Sequence, residues 1–282
     1  MTNQAVVDAP ERPGAGPAAP AGTEVLASLR GDSNRRPLVD PGLAGGLRDW
    51  LEDGLCSLPS GGPTPLVVNK QALRDALAGR DSQRSAGTQP ITDAMALGAL
   101  MDALFRQLVT IGHIEDPMRN GIDALRVDPR RSEVVDFVRG LAGQERAAFE
   151  DELETQSAIL LSRWPRLSPS WLPRTQERIA VPLAGGDVVL VGVIDLIVGA
   201  PSVGRASVGL IEVKSGKARI EDREDLRFYA LLETLRSGAA PFRVATFYTR
   251  TGEVNTEDVD DGLLTSSVQR VLAAISRMVA SN

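Results

Sequence analysis

Val188-Val-Leu-Val-Gly-Val-Ile-Asp195-Leu-Ile-Val-Gly-Ala200 and Val208-Gly-Leu-Ile-Glu212-Val-Lys214-Ser-Gly216 are two hydrophobic runs of strand length that carry charges where their neighbours are Val, Ile and Leu. Asp195 sits alone between Ile194 and Leu196, and Glu212 and Lys214 flank Val213, so the two-residue period of a strand puts that acid and that lysine on one face. Burying an unpaired carboxylate or ammonium costs several kcal/mol, so three such groups inside β-branched runs call for partners or a metal. A Glu-x-Lys pair is ordinarily a solvated surface ion pair. Here Leu210, Ile211 and Val213 give no clean alternation and point to a strand covered on both faces.

A hard divalent cation accounts for the placement. Mg²⁺ prefers oxygen and takes one or two carboxylates with water and substrate phosphate, which Asp195 and Glu212 could supply, with the Val213 carbonyl as a further oxygen. Lys214 could then orient an attacking water or neutralise charge developing on a phosphate.

With Gly192-Val193-Ile194-Asp195, then Ile211-Glu212-Val213-Lys214-Ser215-Gly216, the chain resembles the PD-(D/E)XK nuclease superfamily, specifically its RecB-like branch. That branch reads G-h-h-D, then h-h-(D/E)-h-K-(T/S)-G, then a helix bearing Q-x-x-x-Y. The third motif appears as Asp225-Leu-Arg-Phe-Tyr229, with Asp225 where the family commonly has Gln. The likeness covers roughly the last 110 residues closely and the preceding helical region loosely. It implies an α/β, restriction-endonuclease-like αβββαβ core with a mixed central sheet, preceded by a mainly helical region. It also implies a phosphodiester hydrolase using Mg²⁺ or Mn²⁺, with DNA as the partner. Asp195, Glu212 and Lys214 would be catalytic, and Asp225 and Tyr229 would support the substrate strand or the site. RecB-like sequences often place a Glu ahead of the first motif, here Glu177, which reads either as a contributor to the metal site or as an edge-strand surface acid. They commonly carry G-x-x-x-H in a preceding helix; Gly98-Ala-Leu-Met-Asp102 offers an oxygen donor there instead, the alternatives being a solvated Asp102 or His113.

Composition bounds the reading. The chain has 282 residues and a formal net charge of −6, which argues against a broadly basic coat but not against a local basic groove. Cys56 is the sole cysteine and His113 the sole histidine, so an intramolecular disulfide, a four-Cys iron-sulfur cluster and a His-rich zinc site are excluded within this chain. No run of eighteen apolar residues and no charged-then-apolar leader pattern occurs, so the expectation is a cytoplasmic protein with no membrane partner.

In chain order, residues 1–36 are rich in Ala, Pro and Gly and are expected to be a disordered tail, with Arg35 and Arg36 a solvated basic pair. Residues 37–165 are expected to be mainly helical. Leu47, Trp50, Leu51 and Leu55 recur at helical spacing; Asn69 caps a short helix after a strand; Thr92 caps a longer one that Gly112 ends, with Met95 through Leu108 as its apolar stripe. Asp128-Pro129 is predicted to start one long helix reaching Trp164, and SRWPRLSPSWLP to be a linker. From 166 to 282 the core is expected to hold a hairpin turned at Gly185-Gly186, the two motif strands joined by a loop, a helix over 220–238, a strand turned at Thr251-Gly252 and a closing helix from Asp261.

Two functions are compatible with this. One is a metal-dependent DNA nuclease in repair or in defence against foreign DNA, its substrate delivered by a helicase or another protein. The other is a catalytically silent nucleic-acid-binding or scaffolding module of the same fold, motivated by Asp225 and by the missing motif His. No Ser-His-Asp set and no G-x-x-x-x-G-K loop offers a rival chemistry.

Overall fold

β3 (Val188–Val198) is the strand on which the others are hung. The computed structural model describes residues 22–56, 64–80 and 90–280. Along one edge β3 pairs antiparallel with β2 (Arg174–Leu183), with one break in the ladder at Gln176, and the hairpin turns through Ala184–Gly186 as expected. Two strands share β3 in succession: β1 (Leu66–Val68) runs parallel to Val188–Leu190, and β4 (Gly209–Lys214) runs antiparallel to Leu196–Val198. Between those pairings, from Val191 to Asp195, β3 has neither as a ladder partner. β4 continues parallel into β5 (Arg243–Tyr248), and β6 (Val254–Asp258) closes the edge antiparallel, completing a mixed six-stranded sheet.

The parallel β4–β5 pair requires a crossover, supplied by α8 (Ile220–Ser237), which ends on left-handed Gly238. α8, α9 (Asp261–Ala280), α2 (Leu43–Cys56) and α3 (Lys70–Leu77) cover one face through a core that includes Leu51, Leu73, Leu190, Ile194, Leu231 and Val271. The other face is covered by α4 (Asp93–Ile111), α5 (Pro117–Arg126), α6 (Ser132–Gly140) and α7 (Gly143–Arg163) around Leu104, Phe105, Leu153 and Leu196. Among the described helices α4 is apolar and long enough to cross a bilayer, yet Ala99, Leu100, Met101, Leu104 and Phe105 are buried against its neighbours. The order α7-β2-β3-β4-α8-β5 is the expected αβββαβ core.

The Asn69 and Thr92 caps form as predicted, their side chains accepting from the amides of Ala72 and Met95. Five expectations are corrected. Residues 23–30 of the supposed tail form α1, which buries Val25 and Leu29 against the sheet; residues 1–21 lie outside the described part. Arg36 is no solvated cation, since its guanidinium stacks 3.8 Å above the Phe242 ring. The single helix predicted from Asp128 is a 3-10 turn followed by two helices, broken at Leu141-Ala142 where both residues turn extended before left-handed Gly143. Within the linker, Trp164 is buried edge-on between Phe105 and Phe247, at 4.8 and 5.2 Å, and pins α7 to the sheet. The boundary expected at residue 165 is not a division in the structure either, because β1 belongs to the same sheet.

Candidate active site

Where β1 ends and β4 parts from β3, the open stretch of β3 makes a notch, and the charged residues of the two motif strands meet in it. β4 delivers Glu212, only 2% exposed, and Lys214 from the same face. The Glu212 Oε1 atom accepts from Lys214 Nζ at 2.8 Å and from Lys70 Nζ at 2.6 Å. Lys70 opens α3, the helix that follows directly from β1, so the short strand and its Asn69 cap aim that ammonium at the notch. The other oxygen, Glu212 Oε2, is buried with no hydrogen-bond partner.

Asp195 takes its hydrogen bonds from neutral donors. The Val213 N–H donates to Oδ2 at 2.8 Å, and the Gln176 side-chain amide donates to Oδ1 at 3.2 Å. The same Gln176 nitrogen donates to Asp102 Oδ1 at 2.7 Å, which ties α4 to β3. α4 reaches the notch because Gly98 faces the loop after β4: a Cβ at 98 would lie 3.3 Å from Ser215 Oγ.

The electrostatics follow from this geometry. Burial, reinforced by the Glu212 and Asp102 charges, pushes the Asp195 carboxyl well above the usual carboxylate range. Burial also raises Asp102, against the opposing pull of Arg106 and Arg131. Glu212 is equally desolvated, but Lys70 and Lys214 outweigh the burial and hold it below its ordinary value. One carboxylate is therefore neutralised by two ammonium groups, while its neighbour has none.

Behind this cluster lie the residues of the third motif. Asp225 is buried and held by Arg74 in a two-pronged ion pair, through Nε at 2.7 Å and through Nη2, with Lys70 at 3.8 Å. Tyr229 is buried beneath Lys70, whose ammonium stands 5.1 Å from the ring centre. Its phenol is raised by burial and by the Glu212, Asp195 and Asp225 charges. The departure from Gln at 225 thus comes with a compensating arginine one helical turn beyond Lys70.

Of the residues singled out from sequence, the structure brings together Asp195, Glu212, Lys214, Val213 and Asp102, with Asp225 and Tyr229 one layer back. It does not bring in Glu177, which stands 3.9 Å from Arg236 of α8, nor His113, which is exposed beyond the end of α4 and 4.0 Å from Glu115. Lys70 and Gln176 were not anticipated. The only signal for Lys70 was its position in the first turn of a capped helix directly after a strand; Gln176 gave none.

The fit to a divalent cation can be judged from these atoms. Among the described residues no three acidic, His or Cys side chains form a ready cage. What is present is a two-carboxylate edge, with a buried Glu212 oxygen lacking a donor beside an Asp195 lacking a cation, which suits an ion that completes its shell with water and phosphate.

The model of the PD-(D/E)XK nuclease superfamily matches residues 73–278. No curated protein matches the chain. A solved structure titled "Crystal structure of SSO0001" aligns at 12% identity and a TM-score of 0.31, over 82% of this chain and 83% of that one.

Proposed function

The chain belongs to the PD-(D/E)XK nuclease superfamily, and from that premise we propose that it is a Mg²⁺- or Mn²⁺-dependent deoxyribonuclease of the RecB-like kind. The observation that carries the reading is Glu212 Oε2, a buried acceptor without a donor in a notch shared with Asp195. An unsatisfied buried polar atom costs about 1–3 kcal/mol, and a cation at that oxygen recovers the loss.

When bound, a hard divalent cation supplies activation of water and charge neutralisation on phosphate. Asp195 and Glu212 hold it, with the Val213 carbonyl and Asp102 as further oxygens. Lys214, fixed at 2.8 Å from Glu212, orients the attacking water and faces the charge that builds on the phosphoryl oxygens. Lys70 fixes the Glu212 carboxylate from the opposite element, and the Arg74–Asp225 pair keeps α3 in place to do so. The role is DNA repair or defence against foreign DNA in the cytoplasm, with a helicase or another protein delivering the strand.

Digestion of end-blocked circular and end-labelled linear DNA tests this directly. Cleavage is expected with Mg²⁺ or Mn²⁺ and is expected to stop with EDTA; retained DNA binding without cleavage under either ion would make the chain a silent binding module. The Arg74 partner of Asp225 weakens that second reading, because the substitution that motivated it is compensated.

Two further results are expected. Mn²⁺ near a hundred times its Kd should raise the melting temperature by about 5 °C or more, since the unfolded chain holds the ion poorly. Asp195→Asn should remove that rise; an equal rise in the variant places the ion elsewhere. At Asp102, an all-oxygen site favours Mg²⁺, whereas Asp102→His adds a nitrogen donor and should raise the ratio of Mn²⁺- to Mg²⁺-supported cleavage. An unchanged ratio, together with a silent Asp102→Ala, removes Asp102 from the site.

A further inference from the structure

Gln176 is strained, and its strain has one visible product. Its φ of 53° is left-handed, which side-chain-bearing residues rarely adopt inside a strand. Among the described residues the other two such, Leu172 and Ala184, lie in turns, whereas Gln176 lies within β2, directly across from Asp195. Thr175 pairs with Leu196 and Glu177 with Ile194, but the Gln176–Asp195 pair between them is missing from the ladder. At the same point the inward faces of β3 exchange: Leu190 and Ile194 pack in one core, Leu196 and Val198 in the other. The kink leaves the Gln176 amide donating at once to Asp102 Oδ1 and Asp195 Oδ1, 2.7 and 3.2 Å away.

We infer that Gln176 is a positioning residue for the metal site, a neutral clamp that holds the carboxylates of α4 and β3 together on one nitrogen. Two acids placed side by side repel, and Asp102 has an alternative in Arg106, one turn further along α4 and 3.9 Å away. A cation bridging Asp102 and Asp195 would hold them equally well but would compete with the ion; an amide does not. The inference rests on the proposed metal-dependent function.

Its test uses the full chain, metal-free and then titrated calorimetrically with MnCl₂. Gln176→Gly removes the amide and also the backbone strain, so the metal-free melting temperature should hold or rise while Mn²⁺ affinity falls about tenfold or more, as when a residue that orients a metal ligand is lost. Gln176→Met keeps the side chain's length and the strained φ without a donor, and should lose the same affinity. Unchanged Mn²⁺ affinity in either variant overturns the inference, as does a Gln176→Gly protein that loses melting temperature and affinity together, the signature of a purely structural residue. If the unaltered chain gives no Mn²⁺ binding, or binding that Asp195→Asn does not change, the functional reading itself fails and the inference with it.

Discussion

Asp195→Asn and Glu212→Gln are each expected to lower metal-dependent DNA cleavage by at least on the order of 10³-fold, because each removes a negative oxygen where charge has to be neutralised in the transition state. Their effects on the metal-free fold should be opposite. Asp195 has only neutral donors and is pressed by Glu212 and Asp102, so an uncharged side chain relieves repulsion, and the melting temperature should hold or rise. Glu212 balances two ammonium groups, so Gln there leaves Lys70 and Lys214 facing each other, at a cost of about 1–3 kcal/mol. The loss stays moderate because those lysine side chains are 32% and 23% exposed and can turn to water. Lys214→Ala should remove cleavage as well while leaving Lys70 to neutralise Glu212. Near-wild-type cleavage in any of the three discards the assignment. Equal thermal shifts for Asp195→Asn and Glu212→Gln would discard the charge accounting while leaving the assignment open to the activity data.

What could be read from the sequence was whatever local chemistry settles. Asn69, Thr92 and Gly112 announce helix ends because caps act within four residues. Asp195, Glu212 and Lys214 stood out because a charge within a Val/Ile/Leu run is anomalous whatever surrounds it. The misreadings come from interactions that span the chain. Lys70 and Glu212 are 142 positions apart and Arg74 and Asp225 are 151 apart, so in sequence each of the two α3 cations looks like an ordinary charge on a solvated helix. Gln176 gave no signal for a different reason. A period of two identifies strand faces only while every residue is extended, and the left-handed Gln176 breaks that premise at the point where β2 meets Asp195. α1 was missed because, among its described side chains, Val25 and Leu29 are the buried ones, too few apolar positions to stand out from an Ala/Pro/Gly background.

Gly192→Ala should be among the most damaging single-methyl changes in this chain. A Cβ at 192 would lie 2.7 Å from Tyr229 Cε1 and 2.8 Å from Leu232 Cδ1, both on α8 and both buried. The glycine of the first motif and the tyrosine of the third therefore meet where α8 packs on β3, which gives the pair a packing reason to occur together. Overpacking of this kind costs about 1–3 kcal/mol, or roughly 2–12 °C in melting temperature for a domain of this size, and Gly192→Val should cost more. The Tyr229 ring also lies beneath Lys70, which in turn holds Glu212, so a displaced ring reaches the site through one intermediate. Cleavage measured well below the melting temperature should accordingly fall even where the fold survives. Making room tests the cause: with Leu232→Ala in the same chain, the added methyl should cost less than it does alone, with a coupling of about 0.5–3 kcal/mol, as for residues sharing one space. Strict additivity of the two losses, or a Gly192→Ala protein as stable as the parent, would show that α8 can shift to accommodate the methyl and that the close approach of β3 and α8 is not what requires glycine at 192.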